Sequence, residues 1–111
     1  MVSLPRQKWE TPPGKGEKNA IPKHHKVLLE NEHVRVLEVR VPPKEKTDMH
    51  WHPAFVVYQI NGARVRTSSK DGKSRETDVV PGNVGWSDGG WHEAENLGST
   101  EFHGIIVELK K

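Results

Sequence analysis

The 111-residue chain contains no cysteine. That absence excludes a disulfide framework, a thiolate zinc site and a cysteine nucleophile. Apolar residues are scarce, at 32%. Nowhere do they form a run near the roughly 20 residues a membrane-spanning helix requires. The first 18 residues have no apolar signal region, so a cytoplasmic location is expected. An excess of one sign of charge is also nearly lacking: 17 Lys and Arg against 15 Asp and Glu leave a net charge of +2. The basic pI traces to Lys8, Lys15, Lys18, Lys23 and Lys26 at one end and Lys110 and Lys111 at the other. These lysines are spread among prolines and glycines rather than aligned on one element, so neither nucleic acid nor membrane is expected as a partner.

Helical periodicity is missing as well. Residues 1–25 read as an extended N-terminal arm, punctuated by Pro5, Pro12, Pro13, Gly14, Gly16 and Pro22. Trp9 and Ile21 are its large apolar anchors. Residues 26–111 read as one domain of short strands. Val27 to Glu30 and Val34 to Val41 come first. In the second the apolar phase shifts from Val34 and Val36 to Leu37, Val39 and Val41, which predicts a bulge or a strand buried on both faces. Met49 to Ile60 forms a longer strand that ends at the Asn61-Gly62 turn. Ala63 to Ser69 and Ser74 to Val80 flank a second hairpin turn at Lys70-Asp71-Gly72-Lys73. Val84 to Trp86, Trp91 to Leu97 and Glu101 to Leu109 complete the set. So many short strands without a helix predict an all-β sandwich or barrel, whose interior suits one small ligand.

What the chain does have is histidine, seven in all. In His50-Trp51-His52 the two histidines are two apart, and alternate residues of a strand share a face. His92, from a neighbouring strand, would complete a set of three imidazole nitrogens, the commonest protein ligand for Zn, Fe, Cu and Ni. His103, in an apolar last strand, is either a second base beside the site, a fourth ligand, or a wall residue. His24, His25 and His33 fall in the arm and at a strand start, where solvent exposure is expected. If the strand 49–60 is regular, Val56, Tyr58 and Ile60 share the face of His50 and His52. Tyr58 would then serve as a hydrogen-bond donor or acid, or pack as core. Phe55, Trp51, Trp86 and Trp91 would supply an apolar surround or an intersubunit face. A ligating histidine passes its other N–H to a carboxylate or carbonyl. Asp48, Glu93 and Glu95 are near enough in sequence to be considered, or form a solvated rim. Among Arg35, Arg40, Arg64 and Arg66, any that faced inward would bind a substrate carboxylate.

Two spaced motifs give these features a family likeness. The first runs from Lys44, in a glycine slot, through His50-Trp51-His52 to Gly62. The second runs from Gly82 through Ser87, Gly89 and His92 to Asn96. Together, over residues 27 to 110, they resemble the small single-domain cupins (RmlC-like jelly rolls). The resemblance implies an all-β cupin double-stranded β-helix, a jelly-roll barrel behind an irregular N-terminal arm. The family's fourth ligand is a glutamate, and its slot here holds Phe55 or Val56, both apolar. The implied site is therefore a three-histidine variant: His50, His52 and His92 around one divalent transition metal, iron first, with manganese, nickel, copper or zinc as alternatives. From the strand reading, Tyr58 and His103 are the catalytic candidates, and Phe55, Val56, Ile60, Trp86 and Trp91 the expected pocket. Three-histidine cupins include iron dioxygenases, so a dioxygenase acting on a small diketone or keto acid is the expected function. A metal-dependent lyase or isomerase, or a non-catalytic sensor, is the alternative. A homodimer is the expected assembly.

Overall fold

The computed structural model of the chain describes residues 21–110. The expected arm up to residue 20, with Trp9, lies outside them. Nine strands follow one another: β1 (His25–Glu30), β2 (Val34–Val41), β3 (His50–His52), β4 (Phe55–Gln59), β5 (Ala63–Ser69), β6 (Ser74–Val79), β7 (Val84–Ser87), β8 (Gly90–Asn96) and β9 (Phe102–Leu109). They form two antiparallel sheets, one in the order β1-β2-β9-β4-β7 and the other β3-β8-β5-β6. The all-β, double-stranded β-helix expectation holds. No helix occurs among the described residues, so none is long and apolar enough to cross a membrane.

The core lies between the sheets. Leu37, Val39, Val41, Phe55 and Ile106 pack together, with Val27, Val57 and Phe102 against them. All come from the inward parity of the five-stranded sheet. The phase shift expected in β2 has a different origin from a bulge. The strand alternates strictly, with Arg35, Leu37, Val39 and Val41 buried. Its register with β9 runs unbroken from Val34↔Leu109 to Val41↔Phe102. The apparent shift arises because an arginine, Arg35, takes an inward position while Val34 and Val36 face out. The irregularity falls instead in β1, between Val27 and Leu29.

The long strand expected over Met49 to Ile60 divides at Pro53-Ala54. β3 belongs to the four-stranded sheet and β4 to the other. Proline carries no N–H for a ladder, and the chain crosses between sheets there. Parity therefore restarts after the histidines. Phe55, Val57 and Gln59 turn inward, while Val56, Tyr58 and Ile60 turn out.

Two motif positions explain themselves in the backbone. Lys44, in the glycine slot, has φ +67°, the left-handed region glycine favours. Asn96 is 1% exposed and donates from Nδ2 to the carbonyls of Val41 (3.0 Å) and Thr100 (2.8 Å). Its Oδ1 accepts the N–H of Gly98 at 3.0 Å. The asparagine pins the end of β8 to β2 and to the turn before β9.

Candidate metal centre

β3 and β8 are antiparallel neighbours in the register His50↔His92, Trp51↔Trp91 and His52↔Gly90. Alternation sends the three histidines into the space between the sheets and the two tryptophans to the other side. His50 and His52 are 8% and 0% exposed. Their ring centroids are 4.6 Å apart, and that of His92 is 4.5 Å from His50 and 5.0 Å from His52. His92 Nε2 lies 3.0 Å from His50 Nε2.

A fourth imidazole completes the cluster. The expectation of a solvent-facing His25 is overturned: it is the first residue of β1, opposite the inward Val39. Its ring centroid lies 5.1 Å from His50 and 5.3 Å from His52. One nitrogen from each of His25, His50 and His52 falls within 4.8 Å of the others. The preceding His24 has φ +73°, a left-handed turn that brings the chain into β1, and its Nε2 lies 3.1 Å from Glu45 Oε1. Parity carried a signal for His25, because it stands two residues before the inward Val27. His33 is exposed, as expected.

The outward nitrogens of three rings are occupied. His25 Nδ1 donates to the Lys23 carbonyl at 2.9 Å, and His50 Nδ1 to the Asp48 carbonyl at 2.5 Å. His52 Nδ1 donates to Glu108 Oε2. A neutral imidazole has one N–H and one lone pair, so each of these rings presents a bare Nε2. His52 Nε2 is buried with no hydrogen-bond partner. Buried polar atoms are normally satisfied. An unpartnered lone pair beside other imidazole nitrogens fits a cation, so the donor set suits a divalent transition metal.

The carboxylate partner comes from neither Asp48, Glu93 nor Glu95. Asp48 contributes its backbone carbonyl, Glu93 pairs with Lys46 at 3.9 Å, and Glu95 with Arg66 at 3.4 Å. Glu108 of β9, 2% exposed, takes that place, and its Oε1 accepts from Arg35 Nε at 2.8 Å. Of the four arginines considered from the sequence, Arg35 is thus the inward one, already engaged. Arg64 and Arg66 pair with Glu76, Asp78 and Glu95, and Arg40 with Glu101.

Burial holds all four imidazoles below the ordinary histidine range. Loss of hydration is the main cause throughout. His25 is lowered to about 4, His50 is lowered, and His52 and His92 lie well below 6.5, where neighbouring imidazoles add to the effect. The unfolded chain takes up these protons near pH 6.5, whereas the folded chain resists them until about pH 4 at His25. The unfolded state therefore binds more protons in that window, and stability rises with pH there. Metal-free protein is expected to keep its full thermal midpoint above pH 7 and to lose it progressively between pH 6.5 and 4. A midpoint that is flat or rises on acidification, measured in chelator, would contradict the burial of these rings.

The histidines open onto a cavity of about 330 Å³ between the sheets. Its walls are largely apolar, with Val57, Val65 and Ile106 among them, and Phe55 and Trp86 also line it. Other expected site residues lie elsewhere. Tyr58 is 48% and Ile60 37% exposed, and Val56 shares their outward parity because the strand restarts at Phe55. Trp91 lies on the far side of its sheet, beneath Lys70 Nζ at 4.4 Å from the ring. His103 faces outward with Glu38, whose Oε2 is 2.8 Å from His103 Nε2. The inward residues of β9 are Phe102, Gly104, Ile106 and Glu108, so His103 falls on the wrong parity to reach the site. The cavity is also lined by Arg75 and Asn83, both exposed, which the sequence reading did not single out.

No family model and no curated protein matches the chain. Solved structures do. A cupin domain from Bordetella pertussis Tohama I is 29% identical, with 82% of this chain and 93% of that one covered and a TM-score of 0.70. An uncharacterised conserved protein with a double-stranded β-helix domain from Klebsiella pneumoniae is 23% identical, covering 88% and 81%, with a TM-score of 0.66. Bacillus subtilis oxalate decarboxylase, a protein with Mn(II) centres, is 25% identical over 69% of this chain and 22% of its own, with a TM-score of 0.54.

Proposed function

We propose that this chain, a small cupin by its fold, holds one divalent transition metal on His50, His52, His92 and His25 and acts as a dioxygenase on a small oxygen-donor substrate. The observation that carries the proposal is the clustering of four imidazoles in the wall of a largely apolar cavity, one of them with a buried, unpartnered Nε2. With no carboxylate among the donors, a bound divalent ion keeps its full charge. That favours an anionic, bidentate oxygen ligand such as a diketone enolate or a keto acid. When bound, iron supplies Lewis acidity toward such a ligand and redox access to dioxygen. The Mn(II) of the oxalate decarboxylase lends support to a transition metal in this fold. Iron is the first choice for oxygen chemistry.

The chain's own residues do the rest. Val57, Val65, Phe55 and Ile106 exclude water around the reacting end of the ligand. Arg75 lines the cavity, on the inward row Arg75↔Thr67↔Ala94 that lies next to His92. It makes no ion pair among the described residues, so its guanidinium is available to a carboxylate carried by the ligand.

The test is an anaerobic titration of Fe(II)-loaded protein with heptane-2,4-dione and with its carboxylated analogue 4,6-dioxoheptanoate, followed by air. A new charge-transfer absorption and then oxygen uptake are expected. The carboxylated ligand should bind about tenfold more tightly, and Arg75→Gln should erase that difference while leaving the neutral diketone unchanged. Binding without oxygen uptake would replace the dioxygenase by a sensor, or by a lyase or isomerase using the same metal. No binding of either ligand would reject an oxygen-donor substrate.

A further inference from the structure

The first histidine motif lacks its glutamate: the slot holds Phe55 or Val56. The carboxylate has not left the neighbourhood. Glu108 of β9 is the direct cross-strand partner of Phe55 on one side and of Arg35 on the other. It is 2% exposed, and Arg35 is 4% exposed. One oxygen accepts the Nδ1–H of His52, and the other accepts Arg35 Nε at 2.8 Å. The carboxylate thus reaches the remote nitrogen of a histidine instead of the space in front of it.

This arrangement differs from that of the other rings. His25 and His50 give their Nδ1–H groups to carbonyls two residues earlier in the chain, at Lys23 and Asp48. Those bonds are local and use neutral acceptors. His52 is held by a charged acceptor 56 residues away in sequence. Charge-assisted hydrogen bonds are stronger and shorter than neutral ones. A carboxylate behind an imidazole also makes its other nitrogen a better donor. Arg35 balances the buried negative charge, which would otherwise be costly in the core.

We infer that Glu108, charge-balanced by Arg35, is a positioning residue that fixes His52 in the tautomer with a bare Nε2 and makes it the anchoring ligand of the cluster. The inference rests on the metal reading above for the word ligand, but the orientation of His52 does not. Glu108→Gln alone removes the negative charge that balances Arg35 in the core and risks misfolding. The informative pair is therefore Arg35→Met with Glu108→Gln, and Arg35→Met with Glu108→Leu. Both remove the buried charges. The first leaves an amide oxygen to accept the Nδ1–H, and the second leaves nothing.

Two readouts settle it. In metal-free protein, nitrogen-15 NMR of the histidine side chains is expected to show His52 protonated at Nδ1 and bare at Nε2. The Met/Gln variant should keep that pattern and the Met/Leu variant should lose it. Zinc affinity, by competition with a chelating dye, should then fall about 10- to 100-fold from the Met/Gln variant to the Met/Leu variant. A His52 protonated at Nε2, or equal zinc affinity in two folded variants, would overturn the inference. Zinc that fails to bind the unaltered chain, with His52 in the expected tautomer, would overturn the metal reading and leave the orientation standing.

Discussion

His50→Ala and His52→Ala are each expected to abolish metal binding in a chain for which we propose about one ion per molecule. Each removes an imidazole whose Nδ1 is already tied down and whose Nε2 points into the cluster. His92→Ala has the same effect, because His92 Nε2 converges on His50 Nε2 at 3.0 Å. His52→Ala also costs stability, since it leaves one oxygen of the buried Glu108 unpaired, a penalty of about 1–3 kcal/mol. His50→Ala is the cleaner test in that respect, because the acceptor it abandons is the backbone carbonyl of the exposed Asp48. The controls are His103→Ala and Tyr58→Phe. Both side chains face away from the cavity, so both variants keep their metal. Elemental analysis of the purified proteins decides the matter. Full metal content in His50→Ala and His92→Ala would remove the site.

Gly89→Ala has the second large effect, and it acts on the fold. Gly89 has φ +84°, and a Cβ built there would sit 2.5 Å from the carbonyl oxygen of His52 and 2.5 Å from the carbonyl carbon of Pro53. Those neighbours are backbone atoms and have no flexible end to move. Overpacking costs about 1–3 kcal/mol and a left-handed non-glycine residue about 1–2 kcal/mol more. A loss of roughly 3 kcal/mol lowers the thermal midpoint of a domain this size by about 10–20 °C. The displaced backbone is that of His52, so metal affinity falls with stability. Gly72→Ala is the comparison: its φ is +90°, but a Cβ there meets nothing within 4 Å. It should show the conformational penalty alone. Equal midpoints for the two variants would show that the close approach at Gly89 is not what the fold requires.

Most of the architecture was legible because it rests on local signals. Turn residues marked the strand ends, and period-two alternation gave the histidine pair its shared face. What failed was extrapolation of parity across a break. Pro53 marks the point where the chain leaves one sheet for the other, so counting on from His52 put Val56, Tyr58 and Ile60 inside when Phe55, Val57 and Gln59 are there. His103 was misplaced for a related reason: Ile105 and Val107 are apolar but face outward with it, so hydrophobicity did not mark the inner face of β9. His25 was missed because the arm's prolines overshadowed its phase with Val27. Glu108 was out of reach of sequence spacing altogether, since its partners Arg35 and His52 come from other strands. The phase anomaly of β2 was nevertheless a trace of it. With Leu37, Val39 and Val41 inward, Arg35 had to be inward too, and a buried arginine calls for a buried carboxylate.

The central claim is that uncharged imidazoles, and no carboxylate, form the protein's share of a metal site. X-ray absorption at the edge of the metal bound to the unaltered chain tests it most directly. The account predicts the outer-shell scattering of several imidazole rings around a nitrogen-rich first shell. A first shell of oxygen donors without imidazole scattering would contradict it.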